Sequence, residues 1–187
     1  MNLTRRSVST AVVLLASVTG PIAVSSAHAD SREDLTTDGR RTLAKLEATD
    51  ERAARIARHA RAILVFPSVL KAGFIFGGQT GNGVLLEHGS PAGFYNLTGG
   101  SWGLQIGGQD FSYVLFFMNE KALGYLNSSA GFSAGTGPSI VVINKGAGAE
   151  VNTTTLSQDV YAFPFNAKGL MADLTLQGTK ITRIHPG

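Results

Sequence analysis

The chain has no cysteine, so it carries no disulfide framework, no thiolate nucleophile and no cysteine for lipid attachment at a processing site. A long apolar run is also missing. The longest, from Ala11 to Val24, is broken at Gly20-Pro21, and its about 14 residues fall short of the roughly 20 that span a bilayer. His59, His88 and His185 stand apart, without metal-ligand spacing and without a surrounding Asp/Glu group, so no metal site is expected. Gly78-Gln79-Thr80-Gly81-Asn82-Gly83 has no GK[ST] ending and no helical pattern after it, which argues against a phosphate-binding loop; no cofactor is expected. Net charge is nearly absent as well. Of the 16 basic residues, Arg5 and Arg6 lie in the N-terminal leader, which leaves 14 against 13 acidic ones. So balanced a chain has no electrostatic footprint for nucleic acid.

What is present begins with an address. Arg5-Arg6, the apolar run and the small-x-small site Ala27-His28-Ala29 make residues 1–29 a cleaved signal peptide, with the mature chain starting at Asp30. The expected location is the periplasm, reached by the general secretory or the twin-arginine route, with peripheral membrane association as an option. The rest fits one domain: an amphipathic helix over residues 30–61 and a glycine-rich β core over residues 62–187.

Residues 32–61 are the one charge-rich stretch. On a helical wheel Leu35, Leu43, Leu46, Ala53, Ala57 and Ala60 share a stripe, with Arg41, Lys45, Arg52, Arg55 and His59 nearly opposite. Gly39 and Thr36-Thr37 are weak points at which the helix starts late or divides. The basic stripe has two readings: a solvated face of a core-packed helix, or a face that meets anionic lipid. The apolar stripe is rich in alanine rather than Trp or Phe, which suits packing on protein better than insertion into acyl chains.

From Arg61 onward the pattern is that of strands. Twelve of the 23 glycines fall in residues 66–109, among aliphatic and aromatic neighbours. Such glycines serve turns, or faces where something approaches the backbone closely. Alternation predicts a short strand at 62–66 ending at Pro67, another at 71–77, a turn at 78–83, and strands at 93–97 and 101–109 around a turn at Thr98-Gly99-Gly100. Gly73, Gly77, Gly103 and Gly107 then lie on faces covered by the helix or by another strand. An apolar strand at 113–118, a helix capped by Asn119 and running to about Asn127, a strand at 139–143, a polar loop at 146–156, an edge strand at 160–165 marked by Pro164, and a closing hairpin of 170–176 with 179–184 complete the chain. The fold class is α+β: a predominantly antiparallel barrel or sandwich with a long N-terminal helix and one short helix.

One catalytic pattern occurs. Gly131-Phe132-Ser133-Ala134-Gly135 fits G-x-S-x-G, and Asp159 or Asp173, then His185, follow in the hydrolase order. Its context is wrong, because a helix precedes the serine and a strand follows, whereas the elbow joins a strand to a helix. A serine hydrolase using Ser133 is a remote alternative.

Several pieces together resemble the SYLF family of lipid-binding domains, in its bacterial, exported, single-domain form. They are Phe66-Pro67-Ser68-Val69-Leu70-Lys71-Ala72-Gly73-Phe74, Gly77-Gly78-Gln79-Thr80-Gly81-Asn82-Gly83-Val84-Leu85, Gly103-Leu104-Gln105-Ile106-Gly107-Gly108-Gln109, Lys168-Gly169-Leu170-Met171-Ala172 and Gly178-Thr179-Lys180-Ile181. The resemblance implies a non-enzymatic domain that binds phospholipid membranes. Eukaryotic relatives bind phosphoinositides, partly through an amphipathic helix at the domain's start, and some bundle actin. An exported bacterial protein meets neither, so only the general lipid activity carries over. Arg41, Lys45, Arg52, Arg55 and Lys71 are the expected headgroup-binding residues, and the partner is an anionic phospholipid surface of the cell envelope. The alternative is a structural protein that docks a protein partner on its glycine-lined sheet face.

Overall fold

The computed structural model describes residues 31–187 apart from 74–75, 103–106, 129–130, 135–136, 145–156, 167–168, 172–175 and 177; for residues 73, 76, 101–102 and 107–108 it describes the backbone alone. The predicted single helix is two. Helix α1 (Arg32–Thr49) ends where the Asp50 N–H donates to the Leu46 carbonyl, and α2 (Glu51–Ala57) begins where the Asp50 carboxylate accepts from the N–H groups of Arg52 and Ala53. Asp50 is extended, so one residue stops one helix and caps the next. The weak position Gly39 lies inside α1 and does not break it. A Cβ there would sit 2.4 Å from Cγ1 of Val84. Glycine costs about 1 kcal/mol in a helix relative to alanine, and here it lets the helix axis approach the sheet.

The strands are β1 (Ala62–Gly73), β2 (Phe76–Glu87), β3 (Ser90–Trp102), β4 (Gly107–Phe117), β5 (Phe132–Ser133), β6 (Ile140–Val142), β7 (Val160–Asn166), β8 (Gly169–Leu170) and β9 (Thr179–Ile184), with helix α3 (Glu120–Leu126) after β4. They form one sheet in the order β5-β9-β3-β2-β1-β4-β7-β6, with β8 on β7, and only the β6–β7 pair is parallel. The fold is α+β: one mostly antiparallel sheet curled into a half-barrel. The short helix is capped as expected, with Asn119 Oδ1 accepting from the Ala122 N–H at 2.9 Å and Ala122, Leu123 and Leu126 buried.

Both faces of the central strands are covered, which accounts for their continuous apolar runs. Leu64 and Phe66 join Leu85, Tyr113, Leu115 and the α3 residues Ala122 and Leu126 in one core. Val65, Val84, Val114 and Phe116 join Leu46, Ala53 and Ile56 in the other, beneath α1 and α2.

Pro67 does not end β1. The strand continues through a bulge, where three steps from Phe66 to Val69 match two from Tyr113 to Phe111. Phe66 and Val69 therefore face the same core. The Ser112 hydroxyl donates to the Pro67 carbonyl at 2.6 Å, and the Ser68 hydroxyl donates to Asp110 Oδ1 at 2.8 Å. The glycines of β2 make room for this bulge. A Cβ at Gly81 would lie 2.5 Å from the Ser68 carbonyl oxygen, and one at Gly83 would lie 2.5 Å from both the Val65 oxygen and the Phe66 ring.

Residues 78–83 are thus strand rather than the predicted turn, and Thr98-Gly99-Gly100 likewise lies inside β3. The hairpin between β2 and β3 turns instead at His88-Gly89, both at positive φ, 50° and 78°. That geometry matches a two-residue type I′ connection, and histidine tolerates the left-handed region better than most residues. Of the glycines expected on covered faces, Gly103 lies outside the described residues. Among the described residues, a Cβ at Gly100 would meet nothing within 4 Å, and one at Gly78 only the Gly99 oxygen at 3.9 Å. Pro164 pairs with Tyr113, past the last β6 pair at Ala162, where its missing N–H interrupts no ladder. Most of the first arm of the expected closing hairpin, residues 172–175, and its turn residue 177 lie outside the described residues; of the rest, β8 adds to β7, and β9 lies between β3 and β5. The polar loop at 146–156 lies outside the described residues.

Two carboxylates give the fold an acid-sensitive component. Asp159 accepts from Asn119 Nδ2 at 2.8 Å and from Ser139 N at 2.9 Å and Oγ at 3.0 Å, and these bonds hold its pKa below the usual value. Burial pushes Asp50 upward, but hydrogen bonds from Arg52 and Ala53 outweigh it and leave it lowered. A depressed folded-state pKa contributes stability that is complete above the unfolded value, about 3.9, and is lost as pH falls through the folded one. Glu47, raised by burial against the pull of Arg58, works the other way. The urea midpoint is expected to drop on acidification below about pH 4, and Asp159→Asn to flatten that drop. An unaltered pH profile in the variant would refute the assignment.

Candidate functional site

The bulge and α1 enclose a groove of about 450 Å³, lined by Arg41, Thr42 and Lys45 from the helix, Pro67 from β1, Asp110, Phe111 and Ser112 from β4, and Phe165 and Asn166 from β7. The size lies within the roughly 300–1,000 Å³ usual for small-ligand pockets. Arg41 and Lys45 are four residues apart, about 6 Å along the helix, and both are exposed. Nη1 of Arg41 pairs with Asp38 at 2.6 Å on the open surface. The Lys45 ammonium has no partner among the described residues. Leu70, 53% exposed, is the large apolar side chain left open on the sheet face beside the groove, where it pairs with Asp110.

The other three expected headgroup residues do not join this pair. Arg52 Nη2 is bound to Asp50 Oδ2 at 2.7 Å, with side chains only 19% and 12% exposed. The guanidinium is committed to the junction between the helices. Arg55 is half-buried in α2, and its Nε is buried without a hydrogen-bond partner among the described residues. Lys71 pairs across the ladder with Gln79, which is buried on the face that also holds Val69, so it points to the side of the sheet opposite α1. The stripe drawn on one continuous helix is therefore divided at Asp50, and the strand residue Lys71 is set apart from it by the sheet.

Asp110, Ser112, Phe165 and Asn166 had no local signal in the sequence. They meet Arg41 and Lys45 only because β1, β4 and β7 are neighbours.

The hydrolase pattern does not assemble. Ser133 lies on β5 opposite Lys180, and His185 follows five residues later on the β9 path, roughly 16 Å away at strand rise. Asp159 is occupied by Asn119 and Ser139. Gly135 and Asp173 lie outside the described residues. Among the described residues no three His, Asp or Glu side chains are grouped as for a metal ion, and no helix is long and apolar enough to cross a membrane.

The site is thus a helix-roofed groove on a curled sheet, lined by basic, acidic, hydroxyl and amide side chains. Residues 98–185 match the Ysc84 family, described as Las17-binding protein actin regulator, and form a Ysc84/SYLF domain over that stretch. The match runs from the end of β3 through β9. It includes the groove residues of β4 and β7, but not Arg41 or Lys45. No curated protein matches the chain.

Proposed function

We propose that this protein is exported to the cell envelope and there binds anionic phospholipid surfaces without catalysis, through the α1 side of its groove. The observation that carries this reading is the pair Arg41 and Lys45, exposed one turn apart at the mouth of a small-ligand groove, with Leu70 open on the adjoining sheet face. The family match supports it at the level of a binding domain. Each basic residue near an anionic bilayer contributes about 1 kcal/mol. Replacing both Arg41 and Lys45 with glutamine should therefore weaken binding to phosphatidylglycerol vesicles by roughly thirtyfold.

Co-sedimentation of the chain from Asp30 with such vesicles at low and high salt reads this directly. Failure to bind at low salt sinks the proposal, and binding that salt leaves unchanged removes its electrostatic basis. Arg52, Arg55 and Lys71 are secondary candidates, and single glutamine variants measure their share. Stoichiometric recovery of a protein partner, with no vesicle binding, would favour docking on the open Gly78–Gly100 row instead.

A further inference from the structure

The groove is not lined by positive charge alone. Asp110 stands in its wall, opposite the helix that carries Arg41 and Lys45. Among the described residues no ion pair joins Asp110 to either cation; the pairs formed are Arg41–Asp38, Arg52–Asp50 and Arg61–Glu120. Opposite charges thus face one space without closing on each other. Asp110 Oδ1 is held by the Ser68 hydroxyl at 2.8 Å, which fixes the carboxylate on the bulge, and Oδ2 has no partner among the described residues. Thr42 supplies a neutral hydroxyl between the two cations in sequence.

A purely anionic ligand is drawn by Arg41 and Lys45 but leaves the Asp110 carboxylate unmatched, and a purely cationic one is repelled by the two basic residues. A ligand with both charges a few bonds apart satisfies the whole lining. We propose that the groove binds a zwitterionic headgroup, a phosphodiester carrying a primary ammonium. The phosphate sits against Arg41 and Lys45, and the ammonium donates to Asp110. This rests on the membrane reading above and adds to it a selectivity that general attraction to anionic surfaces does not give. A quaternary ammonium has no N–H to donate, so the groove discriminates phosphatidylethanolamine from phosphatidylcholine at equal surface charge.

The test uses the mature chain and vesicles with one fixed fraction of phosphatidylglycerol, completed with either phosphatidylethanolamine or phosphatidylcholine. Binding is expected to be about tenfold tighter to the ethanolamine vesicles, the scale of one charge-assisted hydrogen bond net of water. Asp110→Asn keeps an acceptor for Ser68 and should remove the difference, with circular dichroism showing that the variant folds. Equal binding of the wild type to both vesicles overturns the inference and leaves the membrane reading standing, whereas binding to neither overturns both. Soluble glycerophosphoethanolamine, added in calorimetry, distinguishes the source. Competition with vesicles supports the headgroup site, and tight binding of the soluble compound by a chain that ignores vesicles overturns the lipid assignment.

Discussion

Gly83→Ala is expected to destabilise the protein by about 3 kcal/mol, the upper part of the usual range for overpacking. The new Cβ would lie 2.5 Å from the Val65 carbonyl oxygen and 2.5 Å from Cδ1 of Phe66. The ring has some freedom to turn, but the carbonyl belongs to the neighbouring strand in a buried part of the sheet. Relief therefore requires β1 and β2 to move apart just beside the bulge. For a domain of this size the loss corresponds to a melting temperature lower by roughly 6–12 °C. Gly78→Ala is the matched control on the same strand. Its Cβ meets nothing nearer than the Gly99 oxygen at 3.9 Å, and alanine recovers about 0.5–1 kcal/mol of the glycine cost. Thermal melts of the two variants should diverge, the first falling and the second unchanged or slightly raised. Equal falls would show that the close approach at Gly83 is not real.

Phe116→Ala should cost about 3–5 kcal/mol, the range for removing a buried aromatic ring. Phe116 is fully buried between the sheet and the helices, edge-to-face with Phe163 at 5.4 Å between centroids, in the core that also holds Leu46, Ala53 and Ile56. Its loss removes packing shared by β4, β7 and the helix pair, so α1 and α2 should lose hydrogen-exchange protection before the rest of the sheet. Phe116→Leu retains most of the volume and should cost less than about 1.5 kcal/mol. Urea unfolding of both variants measures the difference, and a small effect of alanine would mean that this face of the sheet is not a packed core.

Much of the fold was legible in the chain. Asn119 followed by an apolar-faced segment marked α3, because capping is a bond between residues three apart. The continuous apolar runs at 62–66 and 113–118 became strands buried on both faces. The inward positions Leu35, Leu46 and Ala53 were read correctly, and the break at Asp50 changed how the helix is divided more than which side is apolar. The glycines were misread for a physical reason. Glycine serves a turn through positive φ and a strand through its missing Cβ, and local sequence does not separate the two. Only the Ser68 carbonyl against Gly81 decides for strand. The true hairpin at His88-Gly89 was missed because histidine is an unusual first residue for that turn.

The candidate site was half visible. Arg41 and Lys45 are on one helical face by spacing alone. That Lys71 is turned away from them is a matter of alternation after the bulge, and a one-residue bulge reverses every side chain beyond it. Sequence by itself determined the apolar patterning, the caps, the near-neutral charge and the absence of cysteine chemistry, since each depends on residues adjacent in the chain. The tertiary structure alone decided that Asp110 and Ser112 stand across a groove from Arg41 and Lys45. That juxtaposition comes from the strand order β1-β4-β7 and from a helix seated close to the sheet at Gly39. Both are set by packing between segments tens of residues apart, where local periodicity carries no information.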